Sequence, residues 1–177
     1  MQTLKNMWYG SGETAAVDTS GPDLKTLIGQ PADTLRAGGD QAEGGTATTV
    51  GDTLTSDLKL LMFYFSMHNC PPCREFTPLL AELYRDINET EKVMEVIFFS
   101  GDPEEKVYNE YYGEMPWKAM PFKDARLKPI AKHFKVKGLP RLIVLNAKTM
   151  EILNDNAVQI VTEQGPVIID EWMEKVQ

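Results

Sequence analysis

The sequence is poor in the residues that build metal and cofactor sites. Its 177 residues include two cysteines and two histidines. Two cysteines are too few for a disulfide-rich secreted scaffold or a four-cysteine zinc site. A chain of this length buries enough surface to hold one core without such staples. No apolar run approaches the roughly 18–20 residues of a membrane helix; the longest, residues 60–65, has the length of a buried strand. The basic excess of a nucleic-acid-binding face is also missing: 18 Lys and Arg stand against 26 Asp and Glu, a net charge of −8. The first ten residues lack the cationic start and apolar stretch of a secretory signal, and the first arginine is Arg36. The expectation is a cytoplasmic protein with no membrane span and no nucleic-acid partner.

What is present is unevenly spread. Nine of the thirteen glycines precede residue 57. Residues 1–22 read as a polar, glycine-rich tail whose Met7-Trp8-Tyr9 cluster is suited to be a docking arm in a stable protein assembly. Residues 23–177 read as one domain. Within it, residues 23–29 suggest a short helix closed by Gly29, and residues 46–50 a strand after the turn-rich Gly38-Gly39 and Gly44-Gly45 pairs.

From residue 58 the periodicity sharpens. Residues 58–65 are apolar on both faces of a strand, as in a sheet centre covered on two sides. Phe76, Leu79, Leu80, Leu83, Tyr84 and Ile87 recur at helical spacing. Residues 93–99 form a second buried strand, parallel to the first because a helix returns the chain between them. Residues 104–112 and 127–134 read as helices, and residues 142–145 and those around Ile152 as a strand pair. A last amphipathic helix spans 167–175. This is an α/β layer arrangement.

The two cysteines are Cys70 and Cys73, separated by Pro71 and Pro72, between a buried strand and an amphipathic helix. There Cys70 meets the unpaired amides and macrodipole of a helix N-terminus, which lower a thiol pKa and favour a nucleophilic thiolate. The two prolines suit a first helical turn. Cys73, one turn on, is placed to close a disulfide on Cys70 or to resolve a mixed disulfide. Three other readings stand beside this one. Half a zinc site would need both His68 and His133. A structural disulfide across two residues closes too short a loop to stabilise much. A structural subunit that retains the motif is the third.

Residues 64–78, Tyr-Phe-Ser-Met-His-Asn-Cys-Pro-Pro-Cys-Arg-Glu-Phe-Thr-Pro, resemble the active-site segment of the nucleoredoxin and tryparedoxin branch of the thioredoxin superfamily. Residues 114–122, with Met115-Pro116-Trp117, resemble a second segment of that branch. His133-Phe134 through Gly138-Leu139-Pro140 resemble the stretch that ends in its cis-proline. The resemblance implies a thioredoxin-like central mixed β-sheet flanked by helices on both faces, with no cofactor. It implies catalytic roles for Cys70, attacking, and Cys73, resolving, and a cis bond at Pro140. It implies a substrate groove formed by Asn69, Trp117, Leu139, Pro140 and Arg141. The implied partners are protein disulfides and an upstream dithiol reductant.

The chain departs from the branch at several of these positions. Asn69 stands where tryptophan usually precedes the first cysteine, which should leave the dithiol more polar and wetter. Tyr64 stands where many thioredoxins bury an acid, and Arg141 where threonine commonly follows the cis-proline. Gly101 and Lys137 replace the tryptophan and acid that help tryparedoxins hold trypanothione. Tyr64 and Arg74 are the residues expected to tune the thiols, and Arg74, Lys137 and Arg141 together predict a locally basic rim.

Overall fold

A computed structural model describes residues 24–30, 33–37 and 47–176. The expected tail with its Met7-Trp8-Tyr9 arm, and the Gly38-Gly39 and Gly44-Gly45 turns, lie outside those residues. The described elements are α1 (Leu24–Ile28), β1 (Thr34–Arg36), β2 (Ala47–Thr49), α2 (Val50–Thr53), β3 (Leu60–Ser66), α3 (Pro71–Ile87) and β4 (Met94–Ser100). After these come α4 (Glu105–Tyr112), β5 (Lys118–Ala119), α5 (Leu127–His133), β6 (Arg141–Asn146), β7 (Ile152–Asn154), α6 (Val158–Gln164) and α7 (Pro166–Lys175). The strands form one seven-stranded sheet in the order β2-β1-β5-β4-β3-β6-β7. Strand β3 pairs parallel with β4 and antiparallel with β6. The sheet is therefore mixed, with β3 and β4 running as the sequence predicts.

Alternation along β3 divides the core into two layers. Leu60, Met62 and Tyr64 face Phe76, Leu80, Leu83 and Tyr84 of α3, together with Tyr108, Tyr111 and Tyr112 of α4 and Trp172 of α7. Leu61, Phe63 and Phe65 face Leu24 and Ile28 of α1 and Leu127, Ile130 and Phe134 near α5. A strand buried on both faces reads as a continuous apolar run because neither face meets water.

Four elements were not legible as such: β1, α2, β5 and α6. They are short, two to seven residues. Against β4, strand β5 pairs only Lys118 with Ile97 and Ala119 with Phe98, so the earlier part of β4 is left without that neighbour. The Val96 N–H there donates instead to the carboxylate of Glu95, at 2.9 Å. Glu95 itself is fully buried, and it accepts from Lys92 at 2.7 Å and from the Tyr84 hydroxyl at 3.0 Å. A side chain thus replaces the missing ladder partner, as a buried amide requires.

Gly29 closes α1 at φ +118°, where a Cβ would stand 2.5 Å from the Asp33 carboxylate. The N-terminal elements are pinned from α5's side. Arg126 donates through Nη1 to the Ile28 carbonyl and through Nη2 to the Thr34 carbonyl, each at 2.8 Å. Its Nε and Nη2 also take the two oxygens of Asp124 at 2.8 and 2.7 Å. Burial alone would raise the Asp124 carboxyl; the hydrogen bonds and charge of Arg126 outweigh it and hold the carboxyl below the usual carboxylate range. A depressed carboxyl stabilises the fold above its unfolded pKa and loses that contribution as pH falls through its folded pKa. Asp124→Asn should therefore cost about 1–2 kcal/mol at pH 7. The gap to wild type should close as pH falls below about 4. Urea titrations across that range test this, and a gap independent of pH would contradict it.

Candidate functional site

The site is built where β3 ends. Met67, His68 and Asn69 carry the chain from Ser66 across the sheet end to Cys70. Buried Asp102, just beyond β4, fixes this crossing: Oδ1 accepts the His68 backbone N–H at 2.9 Å, and Oδ2 accepts the Ser100 hydroxyl at 2.8 Å. The Gly101 N–H donates to the Ser66 carbonyl at 2.9 Å and extends the parallel ladder by one rung. Cys70 is the N-cap of α3, with extended backbone (φ −126°, ψ 104°), and its carbonyl accepts the Arg74 N–H at 3.0 Å. Pro71 and Pro72 fill the first helical positions, where an amide hydrogen would lack a helical partner.

Cys70 and Cys73 are joined as a disulfide, with Cα atoms 5.2 Å apart. The two differ in access: Cys70 is 9% exposed and Cys73 0%. The Leu139–Pro140 bond is cis, and it immediately precedes β6, whose Arg141 is in register with Phe65. The register brings Leu139, Pro140 and Arg141, all half-buried, to the sheet end that carries exposed Asn69 and the dithiol.

The charged residues are arranged differently from the expected basic rim. The Arg74 Nη1 donates to both oxygens of Glu114 at 2.9 Å, and its guanidinium carbon lies 5.2 Å from the Tyr111 ring centre. The Arg141 Nε donates to the Asp155 carbonyl at 2.5 Å, and Nη2 meets the Asp155 carboxylate at 3.2 Å. Two of the three cations therefore carry carboxylate partners, which cancels most of the predicted local charge. Both pairs are partly exposed, and such pairs contribute little stability.

Tyr64 reaches the inner cysteine's backbone. Its hydroxyl lies 2.8 Å from the Thr77 hydroxyl and 3.4 Å from the Cys73 carbonyl. Burial, reinforced by neighbouring Tyr111, pushes the Tyr64 hydroxyl far above the ordinary tyrosine value. It remains protonated and serves as a hydrogen-bond donor, not as a base. Thr77, Tyr111, Ser66 and Asp102 were missed in the sequence. The available signal was a hydroxyl residue on an otherwise apolar helix face, at Thr77.

The structure does not bring Trp117 to the groove. Trp117 precedes β5, is fully buried, and meets Tyr64 and Tyr84 edge-on with ring centres 6.0 and 5.8 Å away. Its Nε1 has no hydrogen-bond partner among the described residues. A polar cleft of about 360 Å³, lined by Asp52, Asp57, Lys92 and Lys118 among others, holds none of the predicted site residues.

A family model described as thioredoxin-like matches residues 57–152. The chain belongs to the thioredoxin-like family. Among curated members, tryparedoxin of Trypanosoma brucei brucei is 42% identical over 100 residues, covering 56% of this chain and 69% of that protein. Probable nucleoredoxin 1 of Arabidopsis thaliana is 45% identical over 114 residues, which is 63% of this chain and 20% of that relative's length. The chain thus spans about a fifth of that nucleoredoxin. Among solved thioredoxin-like structures, tryparedoxin from Trypanosoma brucei superposes with a TM-score of 0.70 at 33% identity, over 84% of this chain and 96% of that one. Native tryparedoxin I from Crithidia fasciculata gives 0.67 at 34% identity, over 80% and 91%. These likenesses establish the thioredoxin-like fold. Among the described residues, no helix is long and apolar enough to cross a membrane.

The burial of Trp117 makes it a packing residue. Trp117→Ala should cost about 3–5 kcal/mol in urea unfolding. Trp117→Phe keeps most of the ring and removes the unpartnered N–H, so it should cost clearly less and leave disulfide-exchange kinetics unchanged. Slowed exchange in a stably folded Trp117→Phe would return this residue to the site.

Proposed function

We propose that the chain is a thiol–disulfide oxidoreductase that exchanges disulfides with protein partners through Cys70 and Cys73. The observation that supports this reading most is the difference in access between the two cysteines. The cysteine that keeps some exposure, 9% against 0%, is the one at the N-terminus of α3. In the reduced protein, the helix dipole there favours a thiolate at Cys70.

The Cys70 thiolate attacks a partner disulfide. One sulfur–sulfur bond forms to Cys70, the partner's bond breaks, and the departing partner sulfur takes a proton. The Cys73 thiolate then attacks the Cys70 sulfur, forming the Cys70–Cys73 disulfide and releasing the partner's second thiol. The partner gains two electrons and the chain loses two; an upstream dithiol returns them. Asn69, Leu139, Pro140 and Arg141 form the groove that receives the partner's backbone, with Trp117 beneath it as support for the core. No metal or organic cofactor takes part, and the cytoplasm is the proposed compartment.

A docking subunit with weak or lost redox activity is the second reading, and exposed Asn69 favours it because an amide shields the dithiol less than the family's usual aromatic. Reduction of insulin disulfides separates the two. The oxidoreductase reading expects dithiol-dependent turnover by wild type and none by Cys70→Ser. Wild type no faster than Cys70→Ser would support the docking subunit.

A further inference from the structure

Helix α3 is weakened just after its dithiol turn. Pro78 has no N–H to return to the carbonyl of Arg74, so one helical bond is missing. Immediately before the break, three buried hydroxyls, those of Thr77, Tyr64 and Tyr111, reach the Cys73 carbonyl, and a fourth, that of Ser66, joins them through Tyr111. The Thr77 hydroxyl lies 2.9 Å from that oxygen, 2.8 Å from the Tyr64 hydroxyl and 2.5 Å from the Tyr111 hydroxyl, and the Ser66 hydroxyl lies 2.8 Å from that of Tyr111. Each hydroxyl has one proton and two lone pairs. One assignment gives every short contact a donor: Ser66 donates to Tyr111, Tyr111 and Tyr64 both donate to Thr77, and Thr77 donates to the Cys73 carbonyl. Thr77 is the hub, and through it, with longer contacts of 3.4 Å from the Tyr64 and Tyr111 hydroxyls to the same carbonyl, β3 and α4 both grip the turn that carries the inner cysteine. All four residues are buried, so an unmet hydroxyl would be costly and the arrangement is held tightly.

We propose that Thr77 and Tyr111 are positioning residues for Cys73, holding its turn of α3 against β3 and α4 so that its sulfur stays aligned on Cys70 while a partner is attached there. This deepens the oxidoreductase reading and rests on it. The step it serves is the second exchange: Cys73 sulfur bonds to Cys70 sulfur, the Cys70–partner bond breaks, and the partner leaves as a thiolate that takes a proton. The first step, attack by Cys70, lies outside the clamp, because Cys70 precedes the helix and is held by the crossing from β3.

Reduced protein mixed with 5,5′-dithiobis(2-nitrobenzoate) reports both steps by stopped flow. The first thionitrobenzoate is released as Cys70 is captured, and the second as Cys73 resolves the adduct. Thr77→Val and Tyr111→Phe should slow the second release by about fivefold or more, the equivalent of one lost hydrogen bond, and leave the first unchanged. Thr77→Ser keeps the hydroxyl and should restore the second release. A second phase of normal speed in both variants overturns the clamp, as does a Thr77→Ser protein as slow as Thr77→Val. Both phases slowing together in Tyr111→Phe also overturns it, since that marks a general disturbance of the site. Wild type that releases no thionitrobenzoate overturns the oxidoreductase reading itself.

Discussion

Strand β3 is the constraint on which the rest depends. All seven of its residues are buried, with β4 on one side, β6 on the other and a helical layer over each face. Such a strand cannot shift by one residue without moving Tyr64 and Phe65 into each other's layer. Its C-terminal end is therefore fixed, and so is everything that the chain places just after it. The crossing to α3 is held by Asp102 and Gly101, the helix starts at Cys70, and antiparallel pairing with β6 brings the cis-proline segment to the same end. The dithiol and its surroundings are a consequence of where this strand stops.

The polar groups near the dithiol divide by depth. Outside, Arg74 and Arg141 are engaged by Glu114 and Asp155, and Asn69 is exposed with its Oδ1 3.2 Å from the His68 Nδ1. These are solvent-screened contacts of small energetic weight. Inside, Tyr64, Ser66, Thr77 and Tyr111 form a closed set of hydroxyls in an apolar layer, where each missing bond costs far more. The outer groups are free to vary what the site meets. The inner ones determine the geometry in which the two cysteines meet each other.

The sequence made much of this legible because the strong signals are local. The strand read at 58–65, the helix from Phe76 to Ile87 and the parallel partner read at 93–99 follow from apolar spacing and the helix between them, and the Cys-Pro-Pro-Cys placement follows from these. Three kinds of feature did not. Strand β5 is two residues long, and nothing in Lys118-Ala119 distinguishes a strand from a loop. Trp117 was expected at the groove because a motif says which residues go together but not which layer each one faces; the packing against Tyr64 and Tyr84 decides that. The ion pairs of Arg74 and Arg141 join residues 40 and 14 positions apart, and a charge's partner across such a gap is set by the fold. The hydroxyl cluster was hidden for the same reason, since Thr77 and Tyr111 lie on different helices.

The central claim is that the two cysteines are unequal, with the more accessible Cys70 attacking and the fully buried Cys73 resolving. Trapping tests it most directly. A reduced Cys73→Ser protein and a reduced Cys70→Ser protein are each incubated with a disulfide-linked peptide, and the covalent adducts are measured by intact mass and located by digestion. The account predicts rapid accumulation of a stable peptide adduct on Cys70 in the first variant and little or none on Cys73 in the second. Equal labelling of the two, or faster labelling of Cys73, would contradict it.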